Sequence, residues 1–152
     1  MKSIQRLLDE FCSLNELPPL LIENNGRCQL LVDDRTLLYF IATEDNELLL
    51  SARVGALPKQ GSLRNRGLEL LARANYYGLG CGGLNLAISP DGRQVILFGR
   101  KALEMLDAAN LTQWFEEFNQ QSSEWSARFS MLDRDIPLSE SNQQTFAQQL
   151  RV

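Results

Sequence analysis

The sequence predicts an α+β fold, an antiparallel twisted sheet with three helices in the order α-β-β-β-β-α-β-β-α. Three observations predict it. Apolar residues recur at helical spacing, with one stripe to bury, in three separated stretches. Between the first two stretches, short apolar segments alternate with turn-forming clusters, as in a meander of antiparallel strands. Between the last two, "SPDG" is a strong hairpin signal flanked by two further apolar segments. At 152 residues the chain is long enough for one domain with a hydrophobic core.

The first helix is predicted from Ser3 to about Asn15. Ile4, Leu7, Leu8, Phe11 and Leu14 form its stripe and Ser3 can cap it. Leu17-Pro18-Pro19 stops it, because proline cannot continue the ladder and biases its predecessor to extended geometry. Four strands are expected next, at Leu20–Glu23, Arg27–Val32, Thr36–Thr43 and Glu47–Val54, separated by "NNG", "DDR" and "EDN". In "CQLLV", Cys28, Leu30 and Val32 share one face while Gln29 takes the other. "TLLYFIAT" is apolar on both faces, so that strand is expected to be covered on both sides, at least in part.

"PKQGS" resets the chain, and Ser62 is the expected N-cap of a helix running to about Tyr77. At 100° per residue, Leu63, Gly67, Leu70, Leu71, Ala74 and Tyr77 make one broad stripe. Leu68, Ala72 and Tyr76 make a second, separate patch, and no other helix is spare to cover it. Gly67 inside the helix costs about 1 kcal/mol relative to alanine, which points to a close backbone approach. Strands at Leu84–Ile88 and Arg93–Gly99 flank the hairpin signal. Asn110-Leu111-Thr112-Gln113 resembles a capping box, opening a helix with Leu111, Phe115, Phe118, Ser122, Trp125, Phe129 and Leu132 on one line and Trp114 widening it. Residues 133–152 are polar and glutamine-rich and are expected to form a flexible tail, leaving 1–132 as a single domain.

Composition narrows the function. Hydrophobic residues at 44% and charged residues at 22% are those of a soluble globular protein. No apolar run approaches the roughly 18 residues of a membrane span, and "MKSIQRLLDEF" is too charged for a secretory signal, so the expected location is the cytoplasm, away from the membrane. A net charge of −4 disfavours nucleic acid, whose binding needs clustered Lys and Arg. Arg64, Arg66 and Arg73 are read as a solvated helix face. Cys12, Cys28 and Cys81 form no C-x-x-C pair, and with no histidine in the chain they are read as buried free thiols, with no metal site. Lack of histidine also excludes Ser–His and Cys–His nucleophiles. Glu116-Glu117 point in different directions on a helix, and Asp33-Asp34 sit in a turn. No catalytic constellation emerges, no cofactor is expected, and the chain is not read as an enzyme.

"YYGLGCGGLNLAI" has Gly78, Gly80, Gly82 and Gly83 in one loop, which suggests a phosphate cradle. The order argues against it. Dinucleotide loops and P-loops run from a strand through glycines into a helix N-terminus. Here the glycines follow a helix and lead into a strand, next to the negative end of a helix dipole. Gly78 is expected to close the helix, and the loop is read as a structural connector.

In order and spacing the chain resembles the class I type III secretion chaperones, the Tir-chaperone family. The likeness rests on the opening helix ending in "LPPL", on "ENNGRCQLLVDD", on "GCGGLNLAISPDGRQVILFGR" between the second and third helices, and on "LTQWFEEFNQQSSEWSARF". It spans Met1 to about Leu132. The resemblance implies a homodimer in the bacterial cytosol. It would bind the N-terminal segment of a secreted effector, keep it extended, and deliver it to the export apparatus, with the secretion ATPase as a further partner. The unpartnered patch of Leu68, Ala72 and Tyr76 suits a two-fold interface. Phe11, Leu14, Leu17, Leu20, Ile22 and Leu31 are the candidate effector-binding residues, in a groove between the first helix and the first strands. The residues alone leave a second reading open, a small α+β domain that binds a metabolite or inhibits an enzyme.

Overall fold

In the computed structural model, which describes residues 3–77 and 82–132, helix α1 (Ile4–Leu14) is followed by strands β1 (Arg27–Val32), β2 (Thr36–Ala42) and β3 (Glu47–Ala56). Helix α2 (Ser62–Ala74), strands β4 (Asn85–Ile88) and β5 (Gln94–Ala102), and helix α3 (Ala108–Ser130) complete the order. The sheet runs β1-β2-β3-β5-β4, so β1 and β4 are its two edges. The predicted class and the order of helices and strands hold, with one strand fewer before α2.

The missing strand is Leu20–Glu23. That segment is an extended connection tied to α1. The Gln5 side chain donates to the Leu20 carbonyl (2.8 Å) and accepts from the Ile22 N–H (3.1 Å). A carboxamide therefore supplies the pair of bonds that a neighbouring strand would give, which apolar spacing does not reveal. The β1–β2 hairpin turns at Asp33 and Asp34, both left-handed (φ 51° and 54°), the geometry of a type I′ turn that Asp tolerates.

The helix ends correct the predicted caps. The Ser3 side chain makes no capping bond, and Gly61, not Ser62, is the N-cap of α2. Helix α3 begins earlier than expected. Asp107 Oδ1 accepts from the Asn110 N–H while Asn110 Oδ1 accepts from the Asp107 N–H, both at 2.8 Å. Asp107 is thus the N-cap and Asn110 the third helical residue of a reciprocal cap.

Packing divides between two groups of residues. One lies within 1–52 and 98–120. Its centre is an aromatic triangle: Phe11 on α1 sits 5.9 Å from Phe40 on β2 and 5.3 Å from Phe115 on α3, ring centre to ring centre. Leu7, Leu8, Leu38, Leu48, Leu50 and Leu111 are fully buried in the same group. Asn15 donates to the Phe11 carbonyl (2.9 Å) and to Thr112 Oγ1 (2.7 Å), closing α1 and fastening its end to α3.

The other group lies within 53–97 and from 121 onward. Trp125 and Phe129 stand 6.0 Å apart there, and Val54, Leu57, Ala74, Leu86, Val95 and Leu97 are buried. Arg64 donates to the carbonyls of Pro58 (3.0 Å) and Gly92 (2.7 Å), holding the start of α2 against the β4–β5 hairpin turn. The close approach expected at Gly67 is present, with Leu57 over it. A second glycine, Gly55 on β3, lets Phe129 approach so near that a Cβ there would lie 2.8 Å from Phe129 Cβ. Gly82 and Gly83, at φ 61° and 85°, bend the chain into β4 as a connector. Gly78, Gly80 and Cys81, like the tail 133–152, fall outside the described residues.

The predicted stripe of α2 is only partly covered. Gly67 and Ala74 are buried, Leu63, Leu70 and Leu71 are half-buried, and Tyr77, past the helix end, is 81% exposed.

The two close glycines behave differently on substitution. Gly55→Ala meets Phe129 at its Cβ, which moves only with the α3 backbone, and should lower stability by about 1–3 kcal/mol. Gly67→Ala meets the tip of the Leu57 side chain, and its cost is offset by the roughly 1 kcal/mol gained in helix propensity. Urea titration should therefore rank Gly55→Ala as the more damaging of the two.

Candidate functional site

The site starts from the backbone of β1, an edge strand. The Gly26 carbonyl accepts from the Ala42 N–H (2.8 Å). In an antiparallel pair, hydrogen-bonded and non-bonded positions alternate. With the register Cys28↔Phe40, Leu30↔Leu38 and Val32↔Thr36, it is Arg27, Gln29 and Leu31 that turn their N–H and C=O groups outward. Arg27 is satisfied: its N–H donates to Asn25 Oδ1 (3.0 Å) and its carbonyl accepts from the Glu23 N–H (2.9 Å). Gln29 and Leu31 have no outward partner among the described residues. Two residues of open ladder are therefore available.

Side-chain alternation sets the surface beside that edge. Cys28, Leu38 and Phe40 face α1 and are buried. Leu31 and its cross-strand partner Leu37 face the other way and are 55% and 37% exposed. Tyr39, Ile41 and Leu49 continue this outer face and are half-buried. At one margin the Glu47 carboxylate pairs with Arg100 (3.6 Å). Strand β2 is covered on both sides in part, as expected: Phe11 and Phe115 cover one face fully, while on the other Tyr39 and Ile41 are half-buried and Leu37 is exposed.

The six candidate groove residues do not form one surface. Phe11 and Leu20 are buried in the core. Leu14, on the last turn of α1, is 57% exposed, and Leu17 and Ile22 are half-buried. Gln5 holds Ile22 beside the first turn of α1, about 13 Å along the axis from Leu14. Leu31 lies on the sheet face opposite Phe11, because it is odd in register to Cys28, the partner of Phe40. Sequence reasoning missed Leu37, Tyr39, Ile41 and Leu49 as surface residues. For Leu37, Tyr39 and Ile41 the signal is the two-faced pattern of "TLLYFIAT"; Leu49 lies on the next strand.

On α2, Leu68 is half-buried and Ala72 exposed one turn on, with exposed Tyr76 just past the helix, packed edge-to-face on Tyr77 at 4.6 Å. Cys12 and Cys28 are buried and free. Burial raises the Cys12 thiol pKa, and burial with the nearby Cys12 and Glu23 pushes that of Cys28 up to about 11. Both stay protonated and inert at neutral pH. Among the described residues no group of three His, Cys, Asp or Glu is placed to hold a metal ion, and no helix is long and apolar enough to cross a membrane. A cleft of about 330 Å³ opens beside Leu57, Leu63 and Phe129, and its lining includes Ser126 and Ser130 but no charged side chain. That lining gives no electrostatic handle for an ionised metabolite.

The class is an α+β domain with an open strand edge beside an apolar sheet face, the geometry that strand addition uses. The chain belongs to the Tir chaperone protein (CesT) family, whose model matches residues 6–126. No curated protein matches the sequence. Among solved structures, one of the HopA1–SchA chaperone–effector complex superposes with a TM-score of 0.67 at 18% identity, covering 80% of this chain and 91% of that one. One of the ExsC–ExsE complex gives 0.66 at 22% identity, covering 82% and 91%. The heterodimeric ExoU–SpcU complex from the type III secretion system of Pseudomonas aeruginosa gives 0.62 at 18%, covering 86% and 97%. These likenesses show the fold.

The open ladder has a direct readout in amide hydrogen exchange. The N–H groups of Gln29 and Leu31 should exchange rapidly in the free protein, while those of Cys28 and Leu30, bonded to β2, should be strongly protected.

Proposed function

We propose that this chain is a cytoplasmic bacterial type III secretion chaperone. It acts as a homodimer, holds the N-terminal segment of a secreted effector in extended form, and hands it to the export apparatus, where the secretion ATPase is its further partner. The observation that carries this reading is the unsatisfied backbone of Gln29 and Leu31 beside an exposed apolar sheet face, in a chain of the Tir chaperone family. An extended client segment satisfies those groups by main-chain hydrogen bonds, and every second side chain of it lies toward Leu31 and Leu37. Leu14, Leu17 and Ile22 offer a second contact along α1, with Phe11 and Leu20 supporting them from the core. The likeness to the HopA1–SchA chaperone–effector complex supports the same reading. Residues 1–132 act as the chaperone domain.

The client is identified by purifying tagged full-length protein from a bacterium with a type III secretion system and determining the co-purified polypeptide by mass. The N-terminal segment of that polypeptide is then titrated against the purified chain. Leu31→Asp combined with Leu37→Asp should weaken binding at least tenfold, about 1.4 kcal/mol, with the fold intact by circular dichroism. Unchanged affinity would remove the outer sheet face from the site.

The two-fold interface is tested separately. Light scattering should give twice the 17.2 kDa chain mass. Leu68→Glu with Tyr76→Glu should return it to the single-chain value. A wild-type protein that is strictly monomeric at micromolar concentration overturns the homodimer.

A further inference from the structure

We propose that Asn75 is an edge guard, which closes β4 to strand pairing and so confines the addition of an extended segment to β1. The inference rests on the reading that a client adds to a sheet edge. It starts from the same alternation that opens β1. The Ser89 N–H donates to the Gln94 carbonyl (2.9 Å), so residues 89, 87 and 85 direct their backbone groups toward β5, and 88, 86 and 84 direct theirs outward. Strand β4 covers only Asn85–Ile88, which places Leu86 at the centre of its outward row.

Both outward groups of Leu86 are taken by one side chain. Asn75 Nδ2 donates to the Leu86 carbonyl (2.5 Å) and Asn75 Oδ1 accepts from the Leu86 N–H (2.7 Å). An incoming strand needs that same donor and acceptor. The guard is itself fixed, because Asn75 is the C-cap of α2 and its own N–H bonds the Leu71 carbonyl (3.1 Å). The residue type matters. Only a carboxamide presents a donor and an acceptor side by side, and asparagine is the shorter of the two that do. An unguarded edge is a template for another chain, including a second copy of this one. Gln5 performs the same chemistry on the connection at Leu20 and Ile22, yet leaves Gln29 and Leu31 of β1 open. The two edges thus differ by design of the side chains beside them.

The test uses the full-length chain without a client, so its result is independent of whether the chaperone reading holds. In the wild type, hydrogen exchange at the Leu86 amide should be markedly slower than at Gln29 and Leu31; equal rates overturn the proposal without any variant. Asn75→Ala should raise Leu86 exchange about tenfold and produce concentration-dependent species heavier than the wild-type one in light scattering. Asn75→Asp loses the donor to the Leu86 carbonyl but leaves a charge on the edge, and should keep the wild-type mass. A folded Asn75→Ala that exposes Leu86 yet keeps the wild-type mass, or falls below it, overturns the proposal. So does a rise in mass that is the same for Asn75→Ala and Asn75→Asp.

Discussion

An open sheet must satisfy two rows of backbone groups at its edges, or leave them for another chain. That constraint organises this protein. Side-chain and main-chain groups close one outward residue on each edge. Asn25 Oδ1 and the Glu23 N–H occupy Arg27 at the start of β1. Asn75 occupies Leu86 at the centre of β4. On β1, Gln29 and Leu31 are left open, beside the exposed Leu31 and Leu37 side chains of the outer sheet face. Free backbone and exposed leucine coincide there, which is the geometry that strand addition requires.

The core explains why that face can stay uncovered. Phe11, Phe40 and Phe115 meet in tilted, edge-on and stacked geometries, with fully buried leucines around them on the inner side of β1–β3. This burial stabilises the strands from one side only. Asn15 locks α1 to α3 and Gln5 locks the connection to α1, so the inner layer is held without help from the outer face. In the rest of the chain glycines do comparable work, since Gly55 admits Phe129 and Gly67 admits Leu57 at distances that no Cβ allows.

The helices were legible because their apolar stripes repeat over several turns. Leu7, Leu8 and Phe11 on α1, and Leu111, Phe118, Ser122, Trp125 and Phe129 on α3, are buried as their spacing predicts. The strands were legible where turn residues bounded them, at Asp33-Asp34 and at "SPDG". Leu20–Glu23 misled because an apolar segment after a proline pair has the composition of a strand, while its partner is a glutamine side chain fifteen residues back. The candidate groove was legible only in part. Spacing tells which residues of β1 share a face, but which face α1 covers is decided by Phe11 meeting Phe40, a contact between residues far apart in sequence. The outer face of Leu37, Tyr39 and Ile41 was hard to read for the opposite reason: apolar residues on both faces of a strand do not tell how far each face is covered.

The size of the open ladder limits how a client can be held. Gln29 and Leu31 offer at most four main-chain bonds. At about 0.5–1.5 kcal/mol net for each, they contribute roughly 2–6 kcal/mol. Loss of translational and rotational freedom costs about 4–15 kcal/mol before any ordering of the client is counted. The edge alone therefore cannot retain a segment, and what it supplies is direction and register. Affinity has to come from side chains. The outer face of Leu31, Leu37, Tyr39, Ile41 and Leu49 is the surface in reach, at roughly 25 cal/mol for each Å² of apolar area removed from water. A client that must also cover Leu14 and Ile22 runs along α1 as well as β1, and one that continues onto a second copy gains the effective concentration of linked sites. On the proposed reading, a short open edge therefore favours a client long enough to reach side-chain contacts beyond β1.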